Sequence, residues 1–242
     1  MAPTVLPYSN EQGTKKQQVR LMFDRIAHRY DLLNQLLSLG MHHRWRRQVV
    51  EALRPLQPES ILDLATGTGD LMKELLQLAP DHITGMDLSP VMLEHCARKL
   101  AGPIASGQVQ LLEADSESLP FEHNTFDAVT VAFGIRNFEH PDEALRETWR
   151  VLRPAGCLAI LEFSLPPSRT LRWMFKLHLR YVCPVLGQWL SGDGEAYRYL
   201  YRSIAAFPQP EALRNQLLQR GFSQVTWQRL SPGICTLLLA VK

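Results

Sequence analysis

Between residues 60 and 163 the chain alternates short apolar runs with longer amphipathic segments, and this alternation constrains the fold more than any other feature. Five runs have the length and composition of buried strands: Ser60–Ala65, His82–Asp87, Val109–Glu113, Phe126–Ala132 and Cys157–Phe163. Three segments between them have helical periodicity: Asp70–Leu78, Pro90–Leu100 and Asp142–Leu152. Such alternation is typical of a parallel sheet with helices on both faces and right-handed crossovers. We therefore predict an α/β fold.

Helical segments flank this region, and two more strands close the chain. From Lys15 to Leu53 apolar residues recur at helical spacing, which predicts a first helix, a short second helix over Leu32–Leu37 and a third over His42–Leu53. Later elements are a helical, aromatic-rich segment over 165–206, a helix over Pro208–Arg220, and strands over Ser223–Gln228 and Ile234–Val241, joined by the turn Ser231–Gly233. We expect a flexible tail over residues 1–14 and one domain over 15–242, with a helical cap over 15–54.

Composition narrows the class of protein. The net charge of +2 is too small to indicate nucleic-acid binding, and no apolar run approaches the roughly 18 residues of a membrane-spanning helix. The first residues lack the basic-then-apolar layout of a signal peptide, so we expect a cytoplasmic protein. The four cysteines form no CxxC pair, and we expect reduced thiols and no metal site.

A glycine-rich turn follows the first predicted strand. Asp63 precedes Gly67-Thr68-Gly69, and Asp87 ends the second strand 20 residues after Gly67. An acid there can accept hydrogen bonds from both ribose hydroxyls of an adenosine. A dinucleotide site would need a glycine at the sixth position of the motif, where this chain has Met72. The pattern therefore favours S-adenosylmethionine, a cofactor without phosphate, over NAD.

Asp115 and Ser116 follow the third strand, at the place where this fold borders the adenine ring. The Asp115 carboxylate is suited to accept from the exocyclic amine, although Asp and Ser also favour turns on their own. The residues that we expect to bind adenosylmethionine are Asp63, Gly67, Thr68, Gly69, Asp87, Asp115 and Ser116.

Longer motifs extend beyond the cofactor loop. They are Tyr30–Arg46, Phe133–Phe138, Ala144–Glu147, Arg150–Gly156, Leu161–Ser164, Phe207–Pro208 and Pro232–Cys235. Together with the loop, they resemble the UbiE/MenG family of quinone-biosynthesis C-methyltransferases, over roughly residues 16–242. Three places depart from that family: Asp115-Ser116 replaces its frequent Asn-Ala or Asp-Ala, Ala132 stands where many members have Ser, and Arg153–Gly156 replaces its usual Lys-Pro-Gly-Gly.

The resemblance implies a class I methyltransferase fold, which is Rossmann-like. Its seven-stranded sheet is mostly parallel with an antiparallel last strand, and it carries N-terminal helices and a helical insertion after the fifth strand. It also implies C-methylation of a prenylated demethylnaphthoquinol, 2-demethylmenaquinol to menaquinol. A ubiquinone-precursor benzoquinol and demethylphylloquinol are alternative acceptors.

Arg136 and Asn137 follow the fourth strand, where an acceptor would approach the methyl group, and we predict catalytic roles for both. Arg136 would stabilise negative charge on the ring oxygen, unless it only pairs with Glu139, Glu143 or Glu162. His43 is our candidate for the base that takes the ring proton.

The segment 165–206 interleaves apolar residues with Arg169, Arg172, Lys176 and Arg180. Such a basic amphipathic segment is suited either to a substrate lid or to peripheral contact with the inner face of a membrane. Two other functions stay open: an NAD-dependent oxidoreductase, disfavoured by Met72 and by the lack of a Tyr-x-x-x-Lys pair, and a cofactor-binding scaffold without turnover.

Overall fold

The computed structural model describes residues 5–8 and 11–242. Its seven-stranded sheet has the order β3-β2-β1-β4-β5-β7-β6. The strands are β1 (Ser60–Leu64), β2 (His82–Asp87), β3 (Val109–Glu113), β4 (Phe126–Ala132), β5 (Leu152–Phe163), β6 (Gln224–Leu230) and β7 (Cys235–Val241). Strands β1 to β5 pair in parallel, whereas β7 is antiparallel to both β5 and β6. The predicted fold class is confirmed.

The helices are α1 (Lys15–Leu37), α2 (Met41–Leu53), α3 (Asp70–Leu75), α4 (Pro90–Lys99), α5 (Ala101–Ala105), α6 (Pro141–Val151), α7 (Arg169–Leu177), α8 (Cys183–Ser191), α9 (Gly194–Ala206) and α10 (Pro210–Gln219). The separate helix predicted over Leu32–Leu37 is wrong, because those residues are the last turns of α1. No glycine or proline interrupts α1 before that point, so its hydrogen bonds continue. No helix of the described residues is long and apolar enough to cross a membrane.

Helices cover both faces of the sheet. Ile61 belongs to a core that includes buried residues of α2 and α4, whereas Leu62 belongs to a core that includes α6 and α10. Consecutive strand residues point to opposite faces, and near-continuous burial of β1 reflects helices on both sides.

Helix α1 crosses the carboxyl edge of the sheet. The Lys15 amine donates to the Phe138 carbonyl beyond β4 (2.7 Å), and Ser89 beyond β2 donates its hydroxyl proton to Asp24 (2.5 Å). Within the predicted tail, Tyr8 is buried and donates its backbone N–H to Gln18 (3.0 Å), while residues 1–4, 9 and 10 lie outside the described residues.

Candidate active site

The loop between β1 and α3 turns through two left-handed glycines, Gly67 (φ +57°) and Gly69 (φ +80°). A Cβ on Gly67 would meet nothing within 4 Å, so open space lies beside the loop there. A Cβ on Gly69 would lie 2.4 Å from the Cys96 sulfur, so that glycine allows α4 to approach. The two glycines thus serve different purposes, one towards the open side and one towards the core.

Asp63 lies beneath the loop and is buried. Its two carboxylate oxygens accept hydrogen bonds from the hydroxyls of Thr66 and Thr130, each at 2.6 Å. Burial raises the pKa of Asp63 to about 6. The carboxylate therefore supports the loop from within the sheet, rather than facing the open side.

Asp87 lies at the open side, at the end of β2. It accepts the backbone N–H groups of Gly67 (2.8 Å) and Ser89 (2.9 Å), one on each oxygen. Desolvation by the surrounding protein raises the pKa of Asp87 to about 6. Each carboxylate oxygen keeps a lone pair that can accept a further hydrogen bond.

Four of the seven predicted cofactor residues line one cleft at the carboxyl edge of the sheet: Gly67, Asp87, Asp115 and Ser116. We call this the cofactor cleft. Helix α1 covers it, and Lys16 forms ion pairs with Asp115 and with Glu117 (3.0 Å). The other three predicted residues, Asp63, Thr68 and Gly69, do not line this cleft.

Thr68 belongs to a polar network on the far side of the loop. Its hydroxyl donates to Asp31 of α1 (2.6 Å), and the Lys99 amine donates to Asp31 (2.9 Å) and to Asp70. Arg46 of α2 pairs with Asp70 at 3.1 Å. This network ties the loop to both N-terminal helices.

A second, larger cavity of about 370 Å³ lies between the N-terminal helices and the segment α7–α9. Its lining is mostly apolar. We call this second cavity the acceptor cavity. Four residues line both it and the cofactor cleft: Phe23, Tyr30, Phe133 and Asn137. The two sites are therefore adjacent, and they meet beside the turn that follows β4.

Arg136 lines the acceptor cavity. Its guanidinium donates to Glu162 (2.8 Å) and to the Phe133 carbonyl. Of the three acids considered from the sequence, Glu162 is thus the hydrogen-bonded partner. Burial raises the pKa of Glu162, and the positive charge of Arg136 opposes that shift. The Arg136 Nε and the Asn137 Oδ1 are buried and have no hydrogen-bond partner among the described residues.

The two neighbouring histidines of α2 have different surroundings. His43 bonds to Gln35 (3.1 Å) on the exposed side and does not line the cavity. His42 is buried, lines the cavity and bonds to Ser38 (2.5 Å). Burial, with the charge of Arg46, lowers the pKa of His42 to about 4, so its imidazole is neutral at pH 7.

Comparison with known proteins identifies this arrangement. The ubiE/COQ5 methyltransferase family matches residues 11–242. The chain belongs to this family. The demethylmenaquinone methyltransferase of Bacteroides fragilis is 45% identical over 239 residues, which cover 98% of this chain and 97% of that protein. The Thermus thermophilus protein of the same name is 46% identical over 218 residues, or 89% and 97% of the two chains.

Similarity to solved structures confirms that this protein has the class I methyltransferase fold. The [4+2]-cyclase SpnF has a TM-score of 0.69 at 19% identity, covering 96% of this chain and 97% of its own. A possible histamine N-methyltransferase of Thermotoga maritima has a TM-score of 0.64 at 19% identity, covering 92% and 99%. At this identity the likeness concerns the fold alone.

Sequence reasoning missed Tyr199, and of the two neighbouring histidines it chose His43 as the base, whereas His42 lines the cavity. His42 shares a helix face with Trp45 and Val49, both buried, so the spacing along α2 contained the signal. Tyr199 lies on α9, and no local pattern sets its hydroxyl apart from those of Tyr197 and other nearby tyrosines.

Proposed function

We propose that this methyltransferase uses S-adenosylmethionine to methylate a ring carbon of a prenylated demethylnaphthoquinol, converting 2-demethylmenaquinol to menaquinol. The observation that carries the proposal is a mostly apolar cavity that adjoins the cofactor cleft and whose lining includes the buried, unpaired Arg136 Nε and Asn137 Oδ1. An aromatic diol with an isoprenoid tail matches that distribution. The relatives named demethylmenaquinone methyltransferase are 40–46% identical, whereas those named ubiquinone/menaquinone C-methyltransferase are 37% identical, which favours the naphthoquinol.

The residues of the cofactor cleft fit adenosylmethionine. The open space beside Gly67 leaves room for a ligand against the backbone, and Asp87 has free lone pairs for ribose hydroxyls. Asp115 and Ser116 would hold the adenine side. When bound, adenosylmethionine supplies an electrophilic methyl group on a sulfonium.

On the acceptor side, the ring carbon becomes nucleophilic when a neighbouring hydroxyl loses its proton. The guanidinium of Arg136 stabilises the resulting oxygen anion, and the pair with Glu162 fixes its orientation. Asn137 lines both sites and so borders the path between them. The proton of the hydroxyl leaves to water before transfer. After methylation the ring carbon releases its hydrogen as a proton and the ring oxygen, by then a carbonyl, takes one up, which restores the diol. Neutral His42 lines the cavity and replaces His43 as our candidate acceptor, directly or through water.

A direct assay tests the function. Purified protein, methyl-labelled adenosylmethionine and a short-tailed 2-demethylmenaquinol should give the C-methylated naphthoquinol under reducing conditions, which keep the ring electron-rich. A ubiquinone-precursor benzoquinol, assayed in parallel, should react more slowly. Transfer to the benzoquinol alone would overturn the naphthoquinol assignment, and cofactor binding without transfer to either would favour a scaffold.

Asp87→Asn should weaken adenosylmethionine binding about 10- to 100-fold, since it replaces a charged hydrogen-bond acceptor. In the wild type, affinity should fall as the pH drops below about 6, because protonation removes the carboxylate's charge. Asp63 beneath the loop has a pKa in the same range, so the part of this fall that Asp87→Asn abolishes is the part due to Asp87. The cofactor's own α-amino and α-carboxyl groups titrate near roughly 8 and 3.5, outside the window from pH 5 to 6.5. Calorimetric titrations of both proteins across that window check this, and equal affinity of the two at pH 7 would exclude the ribose role.

We also propose that this is a cytoplasmic enzyme that works at the inner face of the membrane. Two helices that pack together carry exposed apolar stripes, at 32, 36 and 39 around the end of α1 and at 182, 185 and 189 along and just before α8. Leu39 and Met174 are both exposed and line the acceptor cavity, so the cavity opens beside these stripes. Exposed Arg169 and Arg180 suit anionic headgroups.

The double variant Val185→Glu/Trp189→Glu should lose binding to phosphatidylglycerol vesicles and methylate a vesicle-borne quinol at least tenfold more slowly. Its activity on a soluble, tail-less naphthoquinol should not change, because neither residue lines the two sites. Leu56→Glu is the matched control, since Leu56 is partly exposed before β1, at the opposite edge of the sheet. Vesicle co-flotation measures binding, and equal loss in the control would contradict the assignment.

A further inference from the structure

Tyr199 of α9 is one of the most deeply buried large side chains, with 1% of its surface exposed, yet its hydroxyl has no hydrogen-bond partner among the described residues. Buried polar groups of native proteins are nearly always paired, with protein, with water or with a ligand. An unpaired hydroxyl at this depth is therefore free to pair with a group that enters the cavity beside it.

Tyr199 lines the acceptor cavity, and α9 packs against the turn that carries Arg136. The positive charge of Arg136 lowers the pKa of Tyr199, and the negative charge of Glu162 raises it. Burial outweighs the attraction of Arg136 and raises the pKa of Tyr199 to about 12. The phenol consequently stays protonated at pH 7 and can donate a hydrogen bond.

Two further residues that line this cavity, Arg136 and Asn137, also have buried polar atoms without a hydrogen-bond partner in the described part of the chain. Arg136 Nε is a donor and Asn137 Oδ1 is an acceptor, and both lack partners. Tyr197, two residues before Tyr199, also lines the cavity, but its hydroxyl is not among the buried side-chain atoms that lack a partner. The unpaired phenol is thus that of Tyr199, not of its neighbour.

We propose that Tyr199 donates a hydrogen bond to one ring oxygen of the acceptor quinol and so positions the ring for methylation. The inference rests on the proposed function, because it takes a dihydroxy aromatic ring as the ligand. Arg136 stabilises charge on the oxygen that ionises, whereas Tyr199 holds the ring through a neutral contact. Since Tyr199 comes from the segment after β5, that segment would contribute directly to recognition of the ring as well as covering it.

Tyr199→Phe removes the hydroxyl and keeps the ring that fills the core. We expect the variant to bind a short-tailed 2-demethylmenaquinol about tenfold more weakly, and to methylate it with a raised KM and a lowered kcat. Adenosylmethionine affinity and unfolding temperature should stay near those of the wild type. Tyr201→Phe is the matched control, because Tyr201 lies on the same helix and lines neither site.

Two analogues of the quinol, each lacking one of the two ring hydroxyls, separate a direct contact from a structural effect. For one analogue, wild type and Tyr199→Phe should bind equally, because the contacted oxygen is absent; for the other, the tenfold loss should persist. Equal losses with both analogues, or no loss with the quinol, would overturn the contact. A wild type that neither binds nor methylates the naphthoquinol would instead refute the proposed function, so the two failures are distinguishable.

Discussion

Arg136→Met is expected to lower kcat/KM by at least about a hundredfold, the effect of removing a charge-stabilising donor from a water-poor site. The same change should destabilise the fold by about 3–5 kcal/mol, because it leaves the buried carboxylate of Glu162 without its partner. Burial already raises the pKa of Glu162, so its ionisation opposes folding as the pH rises. The instability of the variant should accordingly be smaller at pH 5 than at pH 8.

The double variant Arg136→Met/Glu162→Met separates the two effects. Replacing both members of a buried ion pair by apolar side chains of similar size is often neutral for stability. Urea unfolding should therefore show the double variant close to the wild type, while its methyl transfer stays as low as that of Arg136→Met. Recovery of activity together with stability would mean that Arg136 serves the fold alone, and that the charge on the acceptor oxygen is stabilised elsewhere.

The sheet and the cofactor loop were predictable because their signals are local. Strand length, helical spacing and the glycine pattern each span fewer than about twenty residues, and the acid at the end of β2 follows from the order of the strands. The role of Asp63 was less accessible, since it depends on Thr130, which β4 brings alongside from 67 residues away. A carboxylate before such a loop has the same local sequence whether it faces the ligand or the core.

The acceptor cavity was harder to predict, since its walls come from both ends of the chain. Helices α1 and α2 form one side and α7–α9 another, with Arg136 between them. His42 and His43 differ by about 100° around α2, and this rotation alone puts one of them in the cavity and the other on the exposed side. The two histidines could be singled out from the sequence, but only the packing of α2 shows that His42 is the one that lines the cavity.

Replacing either glycine of the cofactor loop by alanine should have a large effect, on stability at Gly69 and on cofactor affinity at Gly67. Gly69→Ala is expected to destabilise the protein by about 3 kcal/mol. The left-handed φ of this position is unfavourable by roughly 1–2 kcal/mol for any residue with a Cβ, and the new Cβ would lie 2.4 Å from the Cys96 sulfur. Gly67→Ala should cost only the roughly 1 kcal/mol of its backbone conformation, since its Cβ meets nothing within 4 Å. Yet that Cβ enters the space beside the loop, so adenosylmethionine affinity should fall at least tenfold. Thermal unfolding and calorimetric titration of both variants measure the two effects.

Cys96→Ala in the Gly69→Ala background tests whether the clash is the cause. Removing the sulfur leaves the new Cβ with Leu100 at 3.3 Å and the Cys96 Cβ at 3.5 Å, which are tight but tolerable contacts. The double variant should be about 1 kcal/mol more stable than the sum of the single effects predicts, as expected for residues in contact. Strict additivity would assign the whole loss to the backbone of Gly69. In that case the close approach of α4 to the loop would not be what requires a glycine there.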